Sequence, residues 1–438
     1  MLKVVKFGGT SLADAVQFAK VKSIVESDDT RKVVVVSAPG KRTPDDYKVT
    51  DLLYLCAAHL KYKVSSKDIF EMIRSRYKDI AIELKLSIDI DKEFDILWNQ
   101  MQQGITENEL ASRGEYFSAR LMADYLGYTF IDSINWVKFN FDGTINYETS
   151  YNALLQITEG NKVVIPGFYG VMPDGRVHTF TRGGSDVTGA LAAAALKADV
   201  YENWTDVSGF LVADPRIIKN PEAIEAITYK ELRELSYMGA SVLHEDAIFP
   251  VRKEGIPINI RNTNDPEADG TLIVESTCQK PEYTITGIAG KKGFVAVGID
   301  KDMMNAEVGF CRKALQAFEE NGISIEHMPS GIDTMTVFVH QAEFEGKEQQ
   351  VISSIRRLTH PDVIELEADL ALIAVVGRGM KSTRGTAGRI FSALAHANIN
   401  VKMIDQGSSE LNIIIGVSND DFEEAIKAIY DIFVETRL

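Results

Sequence analysis

The chain has 438 residues, 45% of them hydrophobic and 25% charged, with no low-complexity tract; that is enough for two or three domains and argues for a folded rather than a disordered protein. Its 47 Lys and Arg against 63 Asp and Glu give a formal charge of −16, so neither nucleic acid nor an anionic membrane is an expected partner, and any anionic substrate must find cations gathered locally. Cys56, Cys278 and Cys311 are too scattered for a disulfide framework or a zinc site, no apolar run reaches membrane-spanning length, and no signal-peptide pattern opens the chain, so a cytoplasmic protein is expected.

Residues 2–7 and 32–38 are β-branched runs on either side of a helical stretch at 14–27, the grammar of a βαβ unit with parallel strands. Helical patterns fill 50–126. Strands resume at "YTFIDS", "KVVIPGFYGV" and "VHTF", and "RGGSDVTGALAAAALKAD" returns to helix. Strand "VYENWTDV", a proline-marked loop, helices near 229–240 and 242–254, and strand "PINIRNT" complete an α/β layer domain near residue 280.

Beyond "QKPEY" the order becomes βαββαβ, with "VIELEADL" closing a first unit and "LALIAVVG" opening a second. The phrases "AFEENGISIEHMPSG" and "ALAHANINVKMIDQG" match as helix, Asn, strand, Met and polar turn, a tandem repeat of roughly 75 residues. The second copy lacks its closing strand, an open edge that is costly; "TITGIAG" at 284–290 is the spare strand that would supply it, making the second unit discontinuous.

Two turns pair a cation with adjacent glycines. In "VVKFGGTSL" Lys6 precedes Gly8 and Gly9, and in "TRGGSDVTGALAAAAL" Arg182 precedes a glycine pair and Asp186. Each is either a tight strand-to-helix connection or a cradle where backbone N–H groups and a helix N-terminus meet an anion. The first is not a Walker loop, whose lysine follows its glycines. A third segment, "ENWTDVSGFLVADPR", offers Thr205, Asp206, the aromatic Phe210 and Arg216, a loop suited to stacking a base and pairing phosphates.

Taken in order, "KFGGTS", "SRGEYFSARL", "TRGGSDVT", "WTDVSGFLVADPR" and "GASVLHEDAIFP" resemble aspartate kinases of the amino-acid kinase family over essentially the whole chain. The resemblance implies an α/β amino-acid kinase fold (a central, mainly parallel sheet between helices) at 1–283. It implies two α+β ACT domains (βαββαβ) after it, at 284–367 and 368–438. The implied reaction is transfer of phosphate from ATP, with Mg2+, to the β-carboxylate of L-aspartate, the first step toward lysine, threonine and methionine. It assigns Lys6, Gly8 and Gly9 to the moving phosphoryl group and Asp186 to organising that lysine. Arg182 and Glu115 would hold the substrate's α-carboxylate and amino group, with Thr50 and Ser37 as substrate-side hydroxyls. Thr205, Asp206, Phe210, Arg216 and Ser241 fall on the nucleotide side. Ser241 stands where relatives often carry lysine, and Phe210 where tyrosine is frequent. No metal-ligating set is implied.

In the first repeat the resemblance implies an effector pocket of Met304, Ala306, Gly309, Phe310, Ser324, Ile325, Glu326 and Ser330, with lysine as feedback inhibitor and threonine or a lysine–threonine pair as alternatives. Glu326 stands where many relatives carry aspartate. A homodimer or homotetramer paired through ACT domains is expected, and the length leaves no room for a fused dehydrogenase. Two other readings stay open on the residues: a different carboxylate or carbamate kinase, and a catalytically silent amino-acid sensor.

Overall fold

The computed structural model describes residues 1–158, 160–181, 183–240, 243, 245–277 and 284–435, the side chains of 245–247 and 435 excepted. The chain forms two compact units. The first comprises Met1–Phe210, Ala223–Tyr229 and Val242–Thr277; the second comprises Leu211–Glu222, Lys230–Ser241 and Cys278–Leu438.

The elements up to Val274 run β1 (Lys3–Phe7), α1 (Ala15–Glu26), β2 (Arg31–Val36), α2 (Val49–Lys61), α3 (Lys67–Glu83), α4 (Ile90–Gln103), α5 (Glu107–Leu126), β3 (Thr129–Phe130), α6 (Tyr147–Thr158), β4 (Val163–Pro166), β5 (Tyr169–Val171), β6 (Val177–Thr179), α7 (Gly184–Ala195), β7 (Val200–Thr205), β8 (Ala226–Thr228), α8 (Tyr229–Tyr237), α9 (Glu245–Lys253), β9 (Ile258–Asn262) and β10 (Thr271–Val274). Eight strands form one sheet in the order β3-β4-β2-β1-β7-β9-β10-β8, parallel except at the β9–β10 pair. Val4, Val5, Val34 and Val35 are wholly buried, as strands covered on both faces require. Helix α1 starts where Asp14 accepts the Gln17 N–H at 2.9 Å, an N-cap bond. Helix α7 is nearly all small residues because it lies hard against the sheet: a Cβ on Gly189 would sit 2.5 Å from the Tyr201 hydroxyl.

The second unit continues with β11 (Gly287–Asp300), α10 (Phe310–Glu319), β12 (Ile325–His327), β13 (Thr334–His340), α11 (Gln341–Phe344), α12 (Glu348–Thr359), β14 (Val363–Val376), α13 (Thr386–His396), β15 (Met403–Asp405), β16 (Asn412–Ser418) and α14 (Phe422–Tyr430). Its antiparallel sheet runs β12-β13-β11-β14-β16-β15. Residues 363–376, expected as two successive strands, are one strand of 14 residues. Asp369 takes a positive φ of 56°, and opposite it the ladder shifts register between Lys292 and Phe294, so pairing passes through the kink instead of ending there. Residues 294–300 of β11 carry β13 on their free side, whereas residues 370–376 of β14 carry β16. The two βαββαβ units thus share two long strands.

Candidate active site and regulatory edge

The register of the parallel strands builds the first site. Phe7 is level with Val36 on β2 and with Trp204 on β7, so Gly8, Ser37 and Thr205 leave three adjacent strands at one height. That is the carboxyl-end crevice where open α/β sheets bind ligands. One step back, Lys6 is paired with Asn203.

Both residues converge on the first turn of α7. The Lys6 Nζ lies 2.6 Å from Asp186 Oδ1, the Asn203 amide donates to the same oxygen at 2.8 Å, and Lys6 reaches the Asn203 carbonyl at 3.5 Å. Lys6 and Asn203 are buried, a setting in which a charge-assisted pair holds its geometry. Asn203 was not among the expected site residues. Its signal is legible only once the strands are aligned: a polar residue at a buried strand position, level with the lysine. A Cβ on Gly8 would stand 3.6 Å from Lys6 Nζ, so the ammonium folds back beside the glycine turn. The Gly8 amide is donated to the Trp204 carbonyl at 3.0 Å, and Gly8 therefore shapes the turn with its N–H already engaged.

Glu115 lies on α5 with its Oε2 buried and without a hydrogen-bond partner among the described residues. Burial pushes its carboxyl up to about 8, against smaller opposing help from the Ala38 and Glu115 backbone amides. Gly114 beside it lets α5 touch the segment after β2, since a Cβ there would fall 2.8 Å from the Ala38 Cβ. Thr50 sits in the first turn of α2, and Ser37 donates its N–H to the Phe7 carbonyl at 3.2 Å.

On the expected nucleotide side the placements are mixed. Thr205 Oγ1 bonds Asp206 at 3.2 Å in the open. Phe210, expected as a stacking face, is instead buried at 2% exposure, its N–H donated to Thr271 Oγ1; in this state its ring packs in the interior. Arg216 belongs to the second unit, 87% exposed and paired with Asp214 at 2.6 Å, which raises its guanidinium pKa. Arg182 and Ser241 lie outside the described residues.

At the edge expected to hold the effector, Met304 and Phe310 are part of the apolar core of the first βαββαβ unit. Ala306, Gly309, Ser324 and Ser330 are exposed. Ile325 and Glu326 lie on β12, where the Glu326 side chain is 8% exposed and 3.8 Å from His340 Nε2. Glu343 accepts the Ser324 N–H at 3.0 Å.

Residues 1–262 match the model of the amino acid kinase family and residues 373–433 that of the ACT domain; the chain belongs to the amino acid kinase family. It is 41% identical to Aspartokinase 3 of Bacillus subtilis over 99% of this chain and 98% of that one. The crystal structure of Clostridium acetobutylicum aspartate kinase, described as an allosteric enzyme, superposes with a TM-score of 0.91 at 50% identity over 99% of both chains. Escherichia coli aspartokinase III in complex with aspartate and ADP superposes at 0.73 with 25% identity, again over 99% of both. Within the family the chain is an aspartokinase. No helix among the described residues is long and apolar enough to cross a membrane.

Proposed function

We propose that this aspartate kinase transfers the γ-phosphoryl group of ATP to the β-carboxylate of L-aspartate, giving 4-phospho-L-aspartate and ADP as the first step toward lysine, threonine and methionine. The observation that carries the reading is the Lys6–Asp186–Asn203 cluster at the strand ends beside the glycine turn. A substrate carboxylate oxygen attacks the γ-phosphorus as the bond to the β–γ bridging oxygen breaks, and the released charge stays on ADP. Such a step needs alignment and charge neutralisation more than covalent chemistry. Lys6 supplies a fixed ammonium, and Asp186 with Asn203 holds it on target. Glu115 is the partner for the substrate ammonium, and Arg182 for its α-carboxylate. Mg2+ would neutralise the nucleotide's phosphates.

Feedback inhibition by lysine at the first βαββαβ unit completes the proposal, with threonine or the concerted pair as the alternatives. Glu326 and Glu343 on this edge suit a ligand carrying two ammonium groups better than one. Assembly as a dimer or tetramer through the ACT domains is part of the same reading.

The test is acyl phosphate formation from Mg-ATP and aspartate, trapped with hydroxylamine, with and without lysine and threonine. Product that falls on adding lysine supports both parts. Product indifferent to either amino acid keeps the kinase and removes the effector assignment, and no product removes the kinase.

A further inference from the structure

The glycine turn is a set of three peptides, each tied through its carbonyl. The Phe7 carbonyl accepts from Ser37 at 3.2 Å, the Gly8 carbonyl from Ser11 at 3.1 Å and the Gly9 carbonyl from Gly40 at 2.7 Å. All are trans, so within each peptide the N–H points opposite to its anchored C=O. The amides of Gly9 and Thr10 are therefore aimed away from Ser11 and Gly40 by bonds on their far sides. Where an anion is to be met by backbone amides, the aim of those amides is the catalytic quantity.

The Gly9 tie, like that of Phe7, is non-local, because Gly40 and Ser37 both belong to the segment after β2. The approach is at its steric limit. A Cβ on Gly40 would lie 2.6 Å from the Gly9 carbonyl carbon, and one on Gly9 would lie 2.9 Å from the Ala38 carbonyl. Any drift of residues 38–40 is thus passed to the turn.

Two side chains reach that segment: the Glu115 carboxylate meets the Ala38 N–H, and Arg76 grips Gly40. Arg76, on the core-facing side of α3 and 5% exposed, donates Nη1 to the Gly40 carbonyl at 3.0 Å and Nη2 to the Tyr47 carbonyl at 2.9 Å. Its Nη2 also meets Asp46 at 2.5 Å. Asp46 in turn binds the backbone and guanidinium of Arg42 at 3.0 and 2.9 Å. Resting on the functional reading above, we propose that Arg76 is a positioning residue for phosphoryl transfer: by clamping Gly40 it fixes the Gly9 turn against the moving phosphoryl group. A lysine cannot replace it, since only the planar guanidinium fork satisfies acceptors on both sides of one loop.

The experiment compares wild-type, R76M, R76A, R76K and D46N enzyme in the hydroxylamine assay, with thermal unfolding of each. Misplacement of reacting groups by about 1 Å can cost ~10²-fold in rate, so R76M is expected to lose about that factor in kcat. The KM values for ATP and aspartate should change far less. R76K should recover little, whereas guanidinium ion added to R76A should restore part of kcat; a merely structural role would show neither pattern. Wild-type kcat in folded R76M overturns the inference, as does a loss that only tracks unfolding and is not rescued. If R76M does not fold, D46N decides: reduced kcat at unchanged unfolding temperature supports the clamp, and wild-type kcat sinks it. Wild-type enzyme that makes no acyl phosphate would instead remove the functional reading itself.

Discussion

The glycine turn at Lys6–Gly9 and the regulatory edge at Met304–Ser330 would both meet small anionic or zwitterionic ligands, yet they are built in opposite ways. At the turn every carbonyl from Phe7 to Gly9 is anchored, and the lysine is buried in a pair with Asp186. At the edge the strand is three residues long with a register shift inside it, and Val308, just before α10, is almost wholly exposed. Where charge moves, donors that are already in place cost nothing to reorganise at the moment of reaction. A site that reports a ligand must have two arrangements of similar free energy, and short, sparsely bonded elements are where these are found.

Breaking the rigid side should have the largest effect. Lys6→Ala removes the charge that Asp186 and Asn203 aim, and turnover should fall by about 10²–10³ or more, the scale for losing a preorganised stabilising group. Full turnover in that variant would show that the ammonium is not at the reacting phosphate. Breaking the loose side should be milder and should act on regulation: Glu326→Gln keeps the shape but removes the charge facing a ligand ammonium. A hydrogen bond to a charged group contributes roughly 1.5–3 kcal/mol, so the lysine concentration for half-inhibition should rise by about 10–10²-fold. An unmoved inhibition curve would take Glu326 out of the site.

The same contrast sets what could be read from the sequence. The layered α/β class and the tandem after it are carried by patterns repeated over many residues: uniformly apolar strands at 4–5 and 33–36, and two copies of one helix–Asn–strand phrase. Lys6 and Asp186 were legible because each stands beside a glycine pair. Asn203 was not, because its meaning arises only from parallel register with Lys6, which no local pattern encodes. The burial of Phe210 was hidden for a related reason: an aromatic in a loop is equally suited to stacking a base and to filling the interior, and only tertiary packing shows it buried. The break expected inside 363–376 came from the repeated element order, and partner strands on both sides of the kink overrule it.

Glu115 tests the rigid side at its most finely balanced point. Buried, with one oxygen unpartnered among the described residues, its carboxyl is raised from 4.5 to about 8, so at neutral pH it is largely protonated. A substrate ammonium needs the carboxylate, and apparent affinity scales with the fraction in the competent form. One pH unit below the pKa that fraction is ~0.1, and aspartate KM should therefore fall by about tenfold as pH rises from one unit below that value to well above it. Stability of the free protein runs the other way. A raised folded pKa means the native state holds the proton more tightly than the unfolded chain, so this contribution is present below 4.5 and is lost as pH rises through about 8. Aspartate should restore part of the lost stability at the alkaline end, because it binds the folded form alone. Glu115→Gln should flatten both profiles and weaken aspartate binding throughout. A KM independent of pH across this window, with wild-type stability falling as expected, would leave Glu115 a buried acid that substrate never meets.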